Sequence, residues 1–101
     1  MLVFFDFNSD QIQTLEAQRL FQWLEDPSNR IAQQYILVAS ADSTGSVAFN
    51  DQLKIRRAKA VKSFMIEHGI EEHKIVIRTE TDIQESTKPD FLYRRVNIVL
   101  Q

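Results

Sequence analysis

Tyr35-Ile36-Leu37-Val38-Ala39 is an unbroken apolar run set between two helix-length amphipathic segments, and few folds accommodate that arrangement. A run this short is strand-length, and having no polar face it belongs in the middle of a sheet covered by other layers. We place this strand over Gln34 to Ala41. Leu2 to Phe7 reads as an earlier strand: Val3, Phe5 and Phe7 share one face, while Leu2 and Phe4 make the other apolar too. Asn8, Ser9 and Asp10 then offer helix-capping oxygens, with Gln11 in a capping-box relation to Asn8. Ile12, Leu15, Leu20, Phe21 and Leu24, with Trp23 at the margin, predict a first helix to Asp26, stopped by Pro27.

A second helix is predicted from Val47 to His68, where Leu53, Arg57, Ala60, Val61 and Phe64 form one face. Gly69 supplies the stop. Lys74 to Thr81 alternates as a third strand, and Asp82 to Asp90, polar and containing Pro89, reads as loop. In Arg95 to Leu100 the residues Val96, Ile98 and Leu100 alternate cleanly as a fourth strand. The order is β-α-β-α-β-β. It predicts a two-layer α/β (α+β) sandwich: a small mixed four-stranded sheet, its last strand antiparallel, with two main helices on one face. Only two glycines are present, which disfavours an all-β sandwich with its many glycine turns. At 101 residues the chain makes a single domain, 1–101. With no apolar run of membrane-spanning length and no signal-peptide pattern, it reads as a domain excised from a larger protein. Any anchor or export signal is then expected on another segment.

Charge narrows the function classes. A formal net charge of −2 disfavours nucleic-acid binding. Lys54, Arg56, Arg57 and Lys59 form a basic cluster without interleaved aromatics, the pattern of a solvated helix face. The chain has no cysteine, so no thiolate chemistry is available. His68 and His73 lie five apart across a helix end, unlike a helical metal pair, and read as surface residues. Asp6 and Asp10 have no feature that makes them convergent, and Ser46 lacks a nucleophile-elbow context. Neither an enzyme, a metal site nor a cofactor is implied.

The residues that point to a ligand surround the second strand's end. Asp42 follows the apolar run directly, where open α/β sheets present their crevices. Arg57 stands in line with core residues on the following helix, and a buried guanidinium needs an anion or acceptors. Arg56 sits about 100° round the helix, so periodicity leaves open which arginine points inward. Thr44 and Asn50 lie between the two poles and add neutral hydrogen-bonding groups. Such a pocket suits a zwitterion, an ammonium and a carboxylate on one carbon. The alternative is that Asp42 and Arg57 pair with each other, or that Asp42 caps the second helix.

Four segments, in order, resemble the OmpA C-terminal domain family, which also occurs in Pal lipoproteins and MotB-type flagellar stators. Phe4-Phe5-Asp6-Phe7-Asn8 resembles its aromatic-rich opening strand, and Ala41-Asp42-Ser43-Thr44-Gly45-Ser46 its T-D-x-x-G turn. Asn50-x-x-Leu53-x-x-x-Arg57-Ala58-x-x-Val61 is similar to its N-x-x-L-S-x-x-R-A-x-x-V helix. Arg94-Arg95-Val96-Asn97-Ile98 resembles its closing N-R-R-V-E-I strand. The resemblance implies non-catalytic binding of peptidoglycan through the meso-diaminopimelate of the stem peptide, in a periplasmic part of an outer-membrane or membrane-anchored protein. It implies that Asp42 takes the ligand ammonium and that Arg57, rather than Arg56, takes the carboxylate. Asn50, Thr44 and Leu53 would line the pocket, Phe7 and Asn8 would approach from the first strand, and Arg94 would support it. Membrane attachment would run through a separate anchor; a homo-oligomer or an envelope-complex partner is compatible with this.

The chain also departs from the pattern. Ala41 replaces the usual Thr, Lys54 the Ser after Leu53, and Tyr93 the Asn before the paired arginines. The G-x-G-E-x-x-P stretch is missing between Arg78 and Tyr93. These changes fall on one wall of the implied pocket. The alternative they carry is a degenerate domain serving as an interaction or structural module.

Overall fold

The structure is a computed structural model that describes residues 1–41, 46–80 and 90–101. Four strands and two long helices appear in the expected order: β1 (Leu2–Phe4), α1 (Thr14–Glu25), β2 (Tyr35–Ser40), α2 (Val47–Glu67), β3 (Ile75–Thr79) and β4 (Arg95–Leu100). The sheet order is β1-β4-β2-β3. β2 and β3 run parallel, with Tyr35 opposite Ile75, and β4 runs antiparallel to both β1 and β2. Arg95, which opens β4, therefore stands opposite both Phe4 and Ser40, the last residues of β1 and β2. One edge of the sheet collects the carboxyl ends of β1, β2 and β3.

Both helices cover one face of this sheet, as the pattern predicts. Val3 and Phe5, then Tyr35, Leu37 and Ala39, then Ile75, Val96 and Ile98 meet Leu20 and Leu24 of α1 and Ala58, Val61 and Met65 of α2 in a single core. The Tyr35 hydroxyl, carried into this core, donates to the Asn29 carbonyl at 2.6 Å. The opposite face bears Leu2, Phe4, Val38 and Val76, all half-buried, and no described helix lies on it. The two-sided apolar character of β1 thus reflects a partly exposed outer face rather than a second covering layer.

Several boundaries differ from the sequence reading. β1 ends at Phe4, although Phe5 N–H still donates to the Arg94 carbonyl at 2.7 Å. Beyond it the chain turns away through Asn8 at φ 54°, a left-handed conformation that asparagine tolerates better than most residues. Phe7 consequently lies outside the core, 57% exposed. The proposed capping box at Asn8 does not form. Helix α1 begins at Thr14 behind Gln13, which makes no side-chain cap bond. Its buried residues are Leu20 and Leu24, while Leu15 is 74% exposed. The spacing explains it: Leu15 and Leu20 are five apart, about 140° round a helix, so they cannot share a face. β3 stops at Thr79, two residues short of the expected end; the loop reading of Asp82 to Asp90 falls almost wholly outside the described residues.

Helix α2 is bounded by two local motifs. Ser46 Oγ accepts from Phe49 N–H at 3.1 Å, filling the N-cap role at the helix's first turn. At the other end Ile70 N–H donates to the Met65 carbonyl and Gly69 N–H to that of Ile66, a Schellman arrangement with Gly69 at φ 95°. Arg30 then fastens both helix ends together, donating to the Leu24 carbonyl at 3.1 Å and the His68 carbonyl at 2.9 Å.

A Cβ on Gly69 would lie 2.6 Å from Arg30 Nη2 and impose left-handed strain on the backbone. Gly69→Ala is therefore expected to lower unfolding free energy by about 1–2 kcal/mol, read from a shifted urea midpoint at unchanged m-value. An unshifted midpoint would count against this account of the helix stop.

Candidate functional site at the carboxyl end of the sheet

The first half of α2 lies against the carboxyl ends of the strands, with Asn50, Leu53, Lys54 and Arg57 all buried along it. Arg57 is the most enclosed, at 0% exposure. Its Nε donates to the Ser9 carbonyl at 2.8 Å, its Nη2 to the Asp6 carbonyl at 3.0 Å and its Nη1 to the Ser40 carbonyl at 3.5 Å. Its Cζ stands 5.4 Å from the centroid of the Phe5 ring, within cation–π range. A guanidinium survives such burial because its planar fork presents donors in several fixed directions at once. Arg57 is thus the inward arginine. Arg56 faces solvent, where its Nε meets Asp10 at 3.2 Å in an exposed ion pair.

Asn50 lies two turns before Arg57 on the same face and is 2% exposed. Its backbone N–H donates to the Ser46 carbonyl at 3.0 Å, but among the described residues its side-chain amide has no hydrogen-bond partner. Buried amides nearly always have one, so such a group marks a place where a ligand or solvent atom belongs. Leu53, buried beside it, supplies an apolar wall.

Lys54 is a correction. The basic cluster reads in sequence as a solvated face, yet Lys54 is 2% exposed. Its Nζ donates to the Glu80 carbonyl just beyond β3 at 2.8 Å and lies 3.6 Å from Asp51 Oδ1. The cue was present: Lys54 follows Asn50 by four and precedes Arg57 by three, inside the buried arc.

The exit of β1 forms the other side. Phe7 and Asn8 sit on the turn whose flanking carbonyls, Asp6 and Ser9, bind Arg57. Arg94 Nε donates to the Phe5 carbonyl at 3.3 Å, which fixes the residue whose ring lies beneath the guanidinium. Ser40 Oγ donates to the Tyr93 carbonyl at 2.9 Å, closing β2 onto the start of β4. The structure therefore brings together Arg57, Asn50, Leu53 and the turn carrying Phe7 and Asn8, with Arg94 behind. Asp42 and Thr44 lie outside the described residues; the chain enters that segment from Ala41, buried, and leaves it at Ser46, the cap of α2.

The two histidines lie elsewhere. His68 packs on Phe64 and Phe21, with ring centroids at 4.3 and 5.3 Å, and is half-buried rather than a surface residue. His73 is exposed and 3.3 Å from Glu71. Among the described residues no group of three or more His, Cys, Asp or Glu side chains is placed to hold a metal.

The model of the OmpA family matches residues 4–95. Outer membrane protein A of Bordetella avium is 32% identical over 72 residues, which are 71% of this chain and 37% of that protein. Among solved structures, the peptidoglycan-associated lipoprotein from Burkholderia pseudomallei superposes with a TM-score of 0.74 at 21% identity, covering 99% of this chain and 89% of that one. The C-terminal domain of Helicobacter pylori MotB gives a TM-score of 0.83 at 15% identity, covering 100% and 84%. At these identities the structural likeness establishes the fold.

The buried fork leads to an asymmetric expectation. Arg57→Lys replaces a multidirectional donor with a point charge, stranding buried carbonyls, and is expected to cost about 1–3 kcal/mol of stability. Arg56→Ala, removing an exposed pair, should change stability by less than ~0.5 kcal/mol. Equal effects in thermal or urea unfolding would contradict this assignment of inner and outer arginine.

Proposed function

The chain belongs to the OmpA family, and from that premise we propose that it binds peptidoglycan without catalysis, gripping the meso-diaminopimelate of the stem peptide and holding an envelope protein to the cell wall. OmpA-family domains generally act as non-catalytic peptidoglycan-binding modules. The observation that supports the finer reading is the pairing of a buried guanidinium with a buried amide that has no partner among the described residues, on one face of α2. In this reading Arg57 receives the carboxylate of the zwitterionic carbon and Asp42 its ammonium. Asn50 and Thr44 bond to the same head group, and Leu53 packs on its methylene chain. Phe7 and Asn8 border the entrance, and Arg94 holds Phe5 under the guanidinium. Charge-assisted bonds in a desolvated cleft supply the affinity, and several copies facing one wall would add avidity. The working location is the periplasm. No described helix is long and apolar enough to cross a membrane, so attachment would come through another part of the protein.

A second reading has its own support. Three main-chain carbonyls already accept from Arg57, the bonding of a structural arginine. In that reading the domain is an interaction or structural module that keeps the scaffold without the ligand.

Sedimentation with diaminopimelate-type sacculi separates the two. The wild-type chain is expected to co-sediment, and Asp42→Ala and Asn50→Leu, each verified as folded by circular dichroism, should weaken retention at least about tenfold, the loss of one buried charged or polar contact. Wild type that stays in the supernatant while folded would overturn the wall-binding reading and favour the second.

A further inference from the structure

Arg57 is enclosed too completely to meet a ligand while its present contacts hold. It is 0% exposed, so a group the size of water does not reach it. Its fork already serves the carbonyls of Ser9, Asp6 and Ser40, and these are not its only partners. A carboxylate that reaches this guanidinium must therefore take the place of an acceptor now bonded to it. Ser40 is poorly placed to yield, since it lies in β2 beside Arg95 of β4. Asp6 and Ser9 are better placed. They follow the last main-chain bond of β1, from Phe5 N–H to the Arg94 carbonyl, in a segment that joins no strand or helix before Thr14. Within it Ser9 N–H donates to the Asp6 carbonyl at 3.1 Å, closing a turn with exposed Phe7 and Asn8 at its tip and Asn8 at φ 54°. A second tie to α2 stands beside Arg57: Asp10 Oδ2 meets Arg56 Nε at 3.2 Å, with the side chains 42% and 44% exposed.

We infer that the turn at residues 6–9 is a strap over Arg57, latched by the Asp10–Arg56 ion pair and displaced when a ligand carboxylate binds. The inference rests on the wall-binding reading. With the strap closed, main-chain carbonyls satisfy the donors of a cation that would be costly to bury alone. With it open, the carboxylate replaces those neutral acceptors by a charged one, and charge-assisted bonds are the stronger. That difference drives the exchange, and the latch opposes it. Asp10 and Arg56 need not touch the ligand. They set the fraction of molecules in which Arg57 is uncovered, and apparent affinity scales with that fraction. An exposed ion pair contributes little to global stability, but here it acts on a local opening that few other contacts resist.

The test is titration calorimetry with free meso-diaminopimelate on wild type, Asp10→Asn, Arg56→Gln and the charge exchange that combines Asp10→Arg with Arg56→Asp. Circular dichroism checks that each is folded. Both single variants are expected to bind about two- to fivefold more tightly than wild type, the weight of one exposed ion pair, and the exchange to return to wild-type affinity. Raised salt should narrow the gap between wild type and the single variants. Saturating diaminopimelate should also speed amide hydrogen exchange in residues 6–13 of the wild type, read by mass spectrometry. Single variants that bind as wild type does, or more weakly, overturn the strap and leave wall binding standing. So does exchange in residues 6–13 that slows when the ligand binds. If none of these proteins binds diaminopimelate, the wall-binding reading fails and takes the strap with it.

Discussion

A single guanidinium joins three segments of this domain that lie far apart in sequence. Arg57 reaches from α2 to the carbonyls of Asp6 and Ser9 beyond β1 and of Ser40 at the end of β2. Those carbonyls stand at the carboxyl edge of the sheet, where strand pairing has run out and other donors are needed. With the Phe5 ring beneath the guanidinium and Arg94 donating to the Phe5 carbonyl, the exit of β1 is held against α2 from two sides. The same burial that stabilises this edge places a positive charge in a desolvated setting, which is what recognition of a carboxylate requires.

Cation-to-carbonyl bonding recurs at the far end of the molecule with a different result. Arg30 bridges the carbonyls at the ends of α1 and α2, next to Gly69. There the acceptors are the last carbonyls of helices, where positive charge also favours the helix dipole. At the carboxyl edge of the sheet Lys54 and Arg57 sit instead about two to three turns inside α2, past the first turn where its dipole acts.

Most of the architecture was legible from periodicity. Tyr35 to Ala39 could only be a central strand, and alternation with two helices left few ways to arrange the sheet. The resemblance carried by Asn50, Leu53, Arg57 and the closing Arg94-Arg95 segment pointed to Arg57 rather than Arg56, and of the two Arg57 is the buried one. The misreadings cluster where local pattern and tertiary demand diverge. Asn8 looked like a cap because of its side chain, but the turn that presents the Asp6 and Ser9 carbonyls to Arg57 takes that residue at positive φ instead. Leu15 was read with the apolar positions that recur along the first helix, although its five-residue distance from Leu20 breaks the repeat and leaves it exposed. Lys54 looked solvated because lysines usually are.

Hydrophobic spacing, capping residues and chain punctuation act within a few residues of one another, so the sequence by itself determined the element order, the central strand, the stop at Gly69 and the helix face bearing Arg57. Which polar groups are enclosed depends instead on segments distant along the chain meeting in space. The burial of Lys54 against Glu80, the enclosure of Asn50 and the clasp of Arg57 on the ends of β1 and β2 exist only because packing α2 over the sheet removes water from all three. Desolvation is a property of the assembled fold, and no spacing rule within one helix or strand supplies it.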